Sequence, residues 1–234
     1  MKLGCPKNLK DIENIVGHKE IAILMDTTQD ISPNQKERIK NMLFDSVQST
    51  NGFDRIKIFN VLPSDEKIIA PFFDFCKPKE QDLGNPAIQA LQKNRFLKQL
   101  DKAFDQDWGK DQSPIIESIS SISSQYRESN SENILVIVSD LLQYSKILDI
   151  HNDAKWKKQL TKNSKQIKIK QPDLEGWSVA FMFIPRNKSQ SNRELVDWWR
   201  DYLQESGARN EDIQFNDDDN SKSYRLLAID TITG

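Results

Sequence analysis

Three unbroken apolar segments constrain the fold of this chain more than any other feature. They are Ile21–Met25, Ile134–Val138 and Val179–Ile184. Short apolar runs bounded by polar residues are typical of strands that are buried on both faces of a parallel sheet. Segments with helical periodicity lie between them, so strands and helices alternate along the chain. This alternation predicts a doubly wound α/β fold with helices on both faces of the sheet.

The remaining elements complete this sheet. A further strand is predicted from Arg55 to Leu62, and Ile68 to Phe75 is also strand-like. Pro71 restricts the latter to an edge, because proline cannot donate a hydrogen bond within a sheet. We therefore expect a mostly parallel sheet with one antiparallel edge strand. Helix starts are predicted where a capping residue precedes proline or begins a capping box, near Ser32, Asn85, Ser113 and Ser191.

Length and charge limit the domain organisation and the class of protein. The chain has 234 residues, and we expect a lead-in over residues 1–18 followed by a single domain over 19–234. Charged residues make up 29% of the chain but leave a net charge of only -2. This balance argues against a protein that coats nucleic acid through its overall charge.

The N-terminus and the cysteines bear on the compartment. No apolar run approaches the length that spans a membrane, and the N-terminus lacks the apolar stretch of a secretion signal. Cys5 and Cys76 are the only cysteines; they could pair, but they do not resemble a disulfide framework, so a reducing compartment is expected. Cys76 is predicted to be a semi-buried thiol. We therefore expect a soluble cytoplasmic protein without membrane contact.

Oxygen-bearing side chains follow two of the apolar strands and precede one helix. Asp26, Thr28 and Asp30 come directly after the first strand, Asp140 closes the strand at 134–138, and Ser113 precedes a predicted helix. Ligands of open α/β sheets bind outside the carboxyl ends of the strands. Because Mg²⁺ prefers oxygen ligands and keeps several waters, these loops could form a magnesium site.

This arrangement resembles the von Willebrand factor A-type (vWA) domain and its metal-ion-dependent adhesion site (MIDAS). That family has Asp-x-Ser-x-Ser after its first strand, which Asp26 and Thr28 match at the first two positions. Ser113 matches the family's Thr before a later helix, and Asp140 matches its distal Asp. The order of elements fits over residues 18–230. Asp30 departs from the family, which has Ser or Thr there; a carboxylate would either bind the metal directly or mark a degenerate site.

The resemblance implies a binding module rather than an enzyme. Mg²⁺, or Mn²⁺ as its substitute, would leave one coordination position open, and an acidic residue of a partner protein would complete it. Intracellular members of the family usually act as scaffolds in multiprotein complexes, and the same role is expected here. The residues also have structural interpretations that stay open. Asp26 and Asp140 could simply occupy turns, and Ser113 could cap its helix.

A lysine-rich segment over residues 146–170 suggests an alternative partner. Lys155, Trp156, Lys157, Lys158 and Lys162 could form a patch for an anionic protein or for nucleic acid, with Trp156 available for stacking. The segment could equally be a solvated helix and loop. Its last residues, 166–170, alternate in polarity and could form an edge strand protected by lysines.

Two further features have competing interpretations. Asp26 after an apolar strand also resembles the nucleophile of haloacid-dehalogenase-like phosphatases, which would make the protein a metal-dependent phosphoesterase. Thr28 stands where that family has a second Asp, so the general acid/base is missing. Trp198 and Trp199 lie next to each other on a predicted helix, where core packing is expected and exposure would indicate a partner surface.

Overall fold

The structure is a computed structural model that describes part of the chain. The described residues are 18–26, 32–48, 54–61, 69–76, 86–105, 112–129, 131–150, 156–183, 193–209 and 213–216.

Six strands are described, and they form one sheet in the order β3-β2-β1-β4-β5-β6. All neighbouring strands are parallel except β2 and β3. The predicted fold class, with its antiparallel edge strand, is confirmed. The edge strand begins only after Pro71, as the missing donor of proline requires. The strands are β1 (Lys19–Met25), β2 (Arg55–Asn60), β3 (Phe73–Cys76), β4 (Glu132–Ser139), β5 (Trp177–Phe183) and β6 (Ile213–Asn216).

Helices cover both faces of the sheet. They are α1 (Pro33–Gln48), α2 (Pro86–Asp105), α3 (Ile115–Gln125), α4 (Trp156–Ile169) and α5 (Arg193–Glu205). Buried residues of α1 and α2 pack on one face, and those of α3, α4 and α5 pack on the other. Because both faces are covered, the central strands contain unbroken apolar runs, such as Ile21–Met25 and Ile134–Val138, instead of alternating. Within the described part of the chain, no helix is both long and apolar enough to cross a membrane.

The order of the strands creates a switch point between β1 and β4. From β1 the chain continues to β2 and towards one edge of the sheet, whereas from β4 it continues through β5 and β6 towards the other. The connecting helices therefore lie on opposite faces and separate at the carboxyl ends of β1 and β4. Such a separation leaves a crevice in which open α/β sheets bind ligands.

The lysine-rich segment forms helix α4 rather than an edge strand. Its end, Gln166 to Lys170, is helical or in a turn, so the edge-strand alternative is wrong. Trp156 and Ile167 are buried while the lysines are exposed. These two residues are eleven positions apart, which is close to three helical turns and brings both to the core side.

Cys76, the last residue of β3, is disulfide-bonded. The prediction of a thiol at this position is therefore wrong. Cys5 is the only other cysteine of the chain and lies outside the described residues. Disulfides persist mainly in oxidising compartments, so this bond weighs against the premise from which a cytoplasmic location was predicted. The location itself stays a prediction.

Thiol titration under denaturing conditions tests the disulfide. We expect the protein purified without reductant to show no reactive thiol and to show both after reduction, because Cys5 and Cys76 are the only cysteines. The matched variant Cys76→Ser should release the thiol of Cys5 without any reductant. Two reactive thiols in unreduced wild-type protein would contradict the bond and restore the expectation of a reducing compartment.

Candidate functional site

The carboxylate of Asp26 is a buried acceptor at the switch point. Asp26 follows β1, and its side-chain Oδ2 accepts hydrogen bonds from the hydroxyls of Ser113, at 2.7 Å, and Ser139, at 2.9 Å. The backbone N–H of Asp26 donates to the carbonyl of Val138 at 2.9 Å, which extends the pairing between β1 and β4 by one residue. Asp26 is only 8% exposed, and both serines are buried. One carboxylate oxygen thus joins three segments that are distant in sequence.

Ser113 does not cap helix α3, contrary to one interpretation of the sequence. The N-cap of α3 is Pro114, and no side chain forms a capping hydrogen bond from that position. Ser113 instead forms an isolated antiparallel bridge with Tyr144, with N–H to carbonyl distances of 2.8 and 2.9 Å. This bridge fixes the backbone of Ser113. Its hydroxyl donates a hydrogen bond to Asp26 and does not cap the helix.

The capping function at α3 is supplied by Gln143, which the sequence interpretation missed. Its side-chain Oε1 accepts the N–H of Ile116 at 2.9 Å, one of the first-turn donors that have no partner within a helix. Its Nε2 donates to Glu117 and to Ser145, both at 2.9 Å. Gln143 is completely buried, and its amide is satisfied. The segment after β4 is thereby held against the start of α3.

Asp140 and Leu141 form a tight turn after β4. Asp140 Oδ1 accepts the N–H of Leu142 at 3.0 Å, and Ser139 Oγ accepts the N–H of Leu141 at 2.9 Å. Leu141 has a left-handed φ of 64°, which costs a non-glycine residue about 1–2 kcal/mol. Its side chain is fully buried, and burying a leucine contributes about 1.5–3 kcal/mol. Burial therefore offsets the unfavourable backbone conformation.

The carbonyl of Leu141 is held from the opposite side by Trp199. The indole Nε1 of Trp199 donates to it at 3.0 Å, and Trp199 is completely buried on α5. Core packing of Trp199, which the sequence predicted, is confirmed, while Trp198 is half-buried. The turn carrying Asp140 is consequently fixed by Ser139 on one side and by α5 on the other.

The structure brings together part of the predicted metal set. Asp26 and Ser113 are in direct contact, and Asp140 directly follows Ser139, whose hydroxyl shares the same oxygen of Asp26. Thr28 and Asp30 lie outside the described residues. Among the residues that are described, no three His, Cys, Asp or Glu side chains cluster as a metal site would require. The described part of the site therefore consists of two carboxylates and two hydroxyls.

Ser139 was not predicted as a site residue, although strand pairing could have indicated it. Met25 is paired with Val138 in the sheet. Asp26 follows Met25, and Ser139 follows Val138. The two residues therefore occupy neighbouring positions at the carboxyl ends of β1 and β4. A sequence alone does not give this register, because it depends on which strands are neighbours.

The hydrogen bond to Asp26 leaves the oxygen of Ser113 able to act as an acceptor. A hydroxyl has one proton and two lone pairs. Because Ser113 donates its proton to Asp26, the lone pairs of its oxygen are directed elsewhere. Carboxylates and hydroxyl oxygens, with no nitrogen or sulfur among them, are the donors that hard cations such as Mg²⁺ prefer. The donor chemistry of the site fits such an ion.

The predicted anionic-partner patch is exposed at some of its residues and buried at Trp156. Lys157, Lys158 and Lys162 are exposed on α4, while Lys155 lies outside the described residues. Trp156 is 8% exposed and packs edge-on against Trp198, with 5.9 Å between ring centroids. Its expected availability for base stacking is therefore wrong, because its ring contributes to the core under α4.

Comparisons with known proteins reveal low similarity. No model of a known family matches the chain, and no curated protein matches it significantly. Among solved structures, it is similar to a von Willebrand factor type A from Catenulispora acidiphila, with 6% identity, coverage of 92% of this chain and 42% of that chain, and a TM-score of 0.47. The conserved hypothetical protein BatB from Bacteroides thetaiotaomicron is 15% identical, with 93% and 98% covered and a TM-score of 0.45.

A third similar structure is the manganese-loaded TRAP protein of Plasmodium vivax, which is 12% identical, with 77% of this chain and 63% of that chain covered and a TM-score of 0.40. The chain spans less than two thirds of the length of this protein and of the Catenulispora protein. The α/β architecture is established by the sheet order and strand directions of the chain itself.

Proposed function

We propose that the protein is a binding module, and not an enzyme, that engages a partner protein at the carboxyl ends of β1 and β4. The proposed role is that of a scaffold or adaptor within a larger assembly. The observation that carries this proposal is the buried carboxylate of Asp26, which lies at the switch point and accepts two serine hydroxyls. This carboxylate holds oxygen donors from three segments together at the place where such sheets bind ligands.

The proposed recognition uses a divalent cation. Asp26, Ser113 and Asp140 would hold Mg²⁺, directly or through water, and Thr28 and Asp30 would complete or adjust the set. The ion would offer one open coordination position to an acidic residue of the partner. The fixed turn at Asp140 supports this role, because a rigid turn keeps the carboxylate in place without requiring the cation to order it.

Calorimetric titration with Mg²⁺ and Mn²⁺ tests the proposal. Wild-type protein is expected to bind at least one of the ions, and Asp140→Asn is expected to weaken binding by roughly tenfold or more, because affinity depends on the number of charged ligands. The asparagine variant is suitable because its amide oxygen can still accept the N–H of Leu142 and preserve the turn.

The matched control is Asp173→Asn. It also removes one negative charge, but Asp173 is exposed and pairs with Arg127 before the start of β5, at the opposite end of the sheet. Its affinity for the cation should equal that of wild type. Absence of binding by the wild-type protein at millimolar concentrations, or an equal loss in both variants, would refute the cation site.

A further inference from the structure

Helix α4 exposes a second charged surface that the proposed cation site does not use. The helix contains lysines but no arginine, aspartate or glutamate. Its solvent side carries Lys158, Lys162, Lys165 and Ile169, which we call the α4 basic face. The chain as a whole has a net charge of -2. The face is therefore locally basic, although the chain as a whole is slightly acidic.

The spacing on the α4 basic face is regular. Successive members are four, three and four residues apart, which places them in one row along the helix. The row ends at Ile169, whose side chain is 70% exposed and is one of two large apolar side chains described as exposed. A second helix repeats the side chains of one face at the same three- and four-residue intervals. One face of such a helix can therefore match this row.

The lysines of this row have no acidic partner among the residues that the structure describes. Lys157, at the side of α4, pairs with Glu194 of α5 at 2.7 Å. For Lys158, Lys162 and Lys165, by contrast, no ion pair is found with any described residue. Helix α2, on the other face of the sheet, differs because it carries its own acidic residues, Asp101 and Asp105.

The chemistry of the face favours carboxylates of a polypeptide over nucleic acid. Arginine, which recognises phosphate through its planar fork, is absent from α4. The tryptophan that could have stacked on bases, Trp156, is buried. The net negative charge of the chain also repels the part of a long polyanion that extends past the α4 basic face. An acidic helix needs only local charge complementarity and can place an apolar residue against Ile169.

We propose that the α4 basic face docks an acidic helical segment of a partner protein. Glutamates or aspartates of that segment would pair with Lys158, Lys162 and Lys165, and an apolar side chain would cover Ile169. This surface lies on a helix that flanks the sheet and requires no cation. It could therefore operate whether or not the cation site does.

Fluorescence anisotropy with a designed peptide tests the proposal. The probe is a labelled helix-forming peptide that carries glutamates at the same four- and three-residue intervals, followed by leucine. A scrambled peptide of equal composition serves as the reference ligand. The expected result is tighter binding of the matched peptide, with affinity that falls as salt is raised, because exposed ion pairs are screened.

Two triple variants separate the face from overall charge. Lys158→Glu/Lys162→Glu/Lys165→Glu reverses the row, whereas Arg95→Glu/Lys98→Glu/Lys102→Glu reverses three exposed side chains on α2. The α4 variant is expected to lose about tenfold or more in affinity, since several exposed ion pairs are removed together. The α2 variant should bind like wild type. Circular dichroism of both variants confirms that they are folded.

Several outcomes would overturn the proposal. They are equal binding of matched and scrambled peptides, an equal loss in both triple variants, and no binding of the matched peptide by wild type. Tighter binding of a single-stranded oligonucleotide or of vesicles rich in phosphatidylserine would also overturn it, because each would identify a different class of partner. All measurements are made in EDTA, so failure of the cation site does not affect the result.

Discussion

Replacing Lys57 with methionine is expected to lower the free energy of unfolding by about 3 kcal/mol at pH 7. Lys57 Nζ lies 2.7 Å from Glu20 Oε2 and 5.3 Å from the ring centroid of Tyr126, and the side chains of Lys57 and Glu20 are both buried. Methionine has nearly the length of lysine but no charge. The variant therefore leaves the carboxylate of Glu20 buried without its main partner, and an unpaired buried charge is strongly destabilising.

This loss should depend on pH in a defined direction. Burial raises the pKa of Glu20, and the hydrogen bond and charge of Lys57 oppose that rise. Removing Lys57 should raise the pKa of Glu20 further. A group with a higher pKa in the folded state contributes stability below its unfolded pKa, and that contribution is lost as pH rises through the folded pKa. The difference in the free energy of unfolding between wild type and Lys57→Met should therefore be smaller near pH 4 than at pH 7.

Urea unfolding of three variants measures these effects. The double variant Glu20→Leu/Lys57→Met is expected to recover to within about 1 kcal/mol of wild type, because replacing a whole buried pair by apolar residues is often neutral. Lys98→Met, at an exposed position of α2, is the matched control and should behave like wild type. A double variant as unstable as Lys57→Met would show that the loss arises from packing rather than from the unpaired carboxylate.

The central strands could be predicted from the sequence because their signal is local. Ile134–Val138 is apolar throughout, and the structure buries it on both faces of the sheet. The edge position of β3 was also predictable, since Pro71 restricts any strand near it to an edge. By contrast, residues 166–170 alternate in polarity and also fit a helix. Only packing of Ile167 against the core distinguishes these two possibilities.

The site was less predictable because its contacts are long-range. A serine before proline at a helix start is a strong local signal for an N-cap. Ser113 nevertheless binds Asp26, which lies 87 positions away. The acceptor that α3 needs comes from Gln143, 27 positions after Ile116. Neither partner has a spacing pattern that a single sequence displays, so Gln143 and Ser139 were missed.

The vWA resemblance predicted which residues lie together at one end of the sheet, but it did not predict the hydrogen bonds between them. It placed Asp26, Ser113 and Asp140 at one end of the sheet, and the sheet order puts β1 and β4 side by side. It did not predict that one oxygen of Asp26 would accept both serine hydroxyls. This shared acceptor gives Asp26 a structural role that is separate from any cation, and the two roles can be measured independently.

Asp26→Ala is expected to lower the free energy of unfolding by about 3 kcal/mol, because two buried hydroxyls lose a charged acceptor. Asp26→Asn should lose only about 1 kcal/mol, since its amide oxygen can still accept hydrogen bonds from Ser113 and Ser139. Both variants remove the negative charge. The asparagine variant therefore keeps the structural role of Asp26 and removes its contribution to cation binding.

Chemical unfolding of both variants, with and without Mg²⁺, separates the two roles. If Asp26 also serves a cation, Mg²⁺ should stabilise wild type and have no effect on Asp26→Asn, because ligands stabilise only the state that binds them. Asp173→Asn is the matched control: it also removes one negative charge, but it lies before β5 at the opposite end of the sheet and should keep the response of wild type to Mg²⁺. Equal responses in Asp26→Asn and wild type would show that the carboxylate serves only to hold β1, β4 and the start of α3 together.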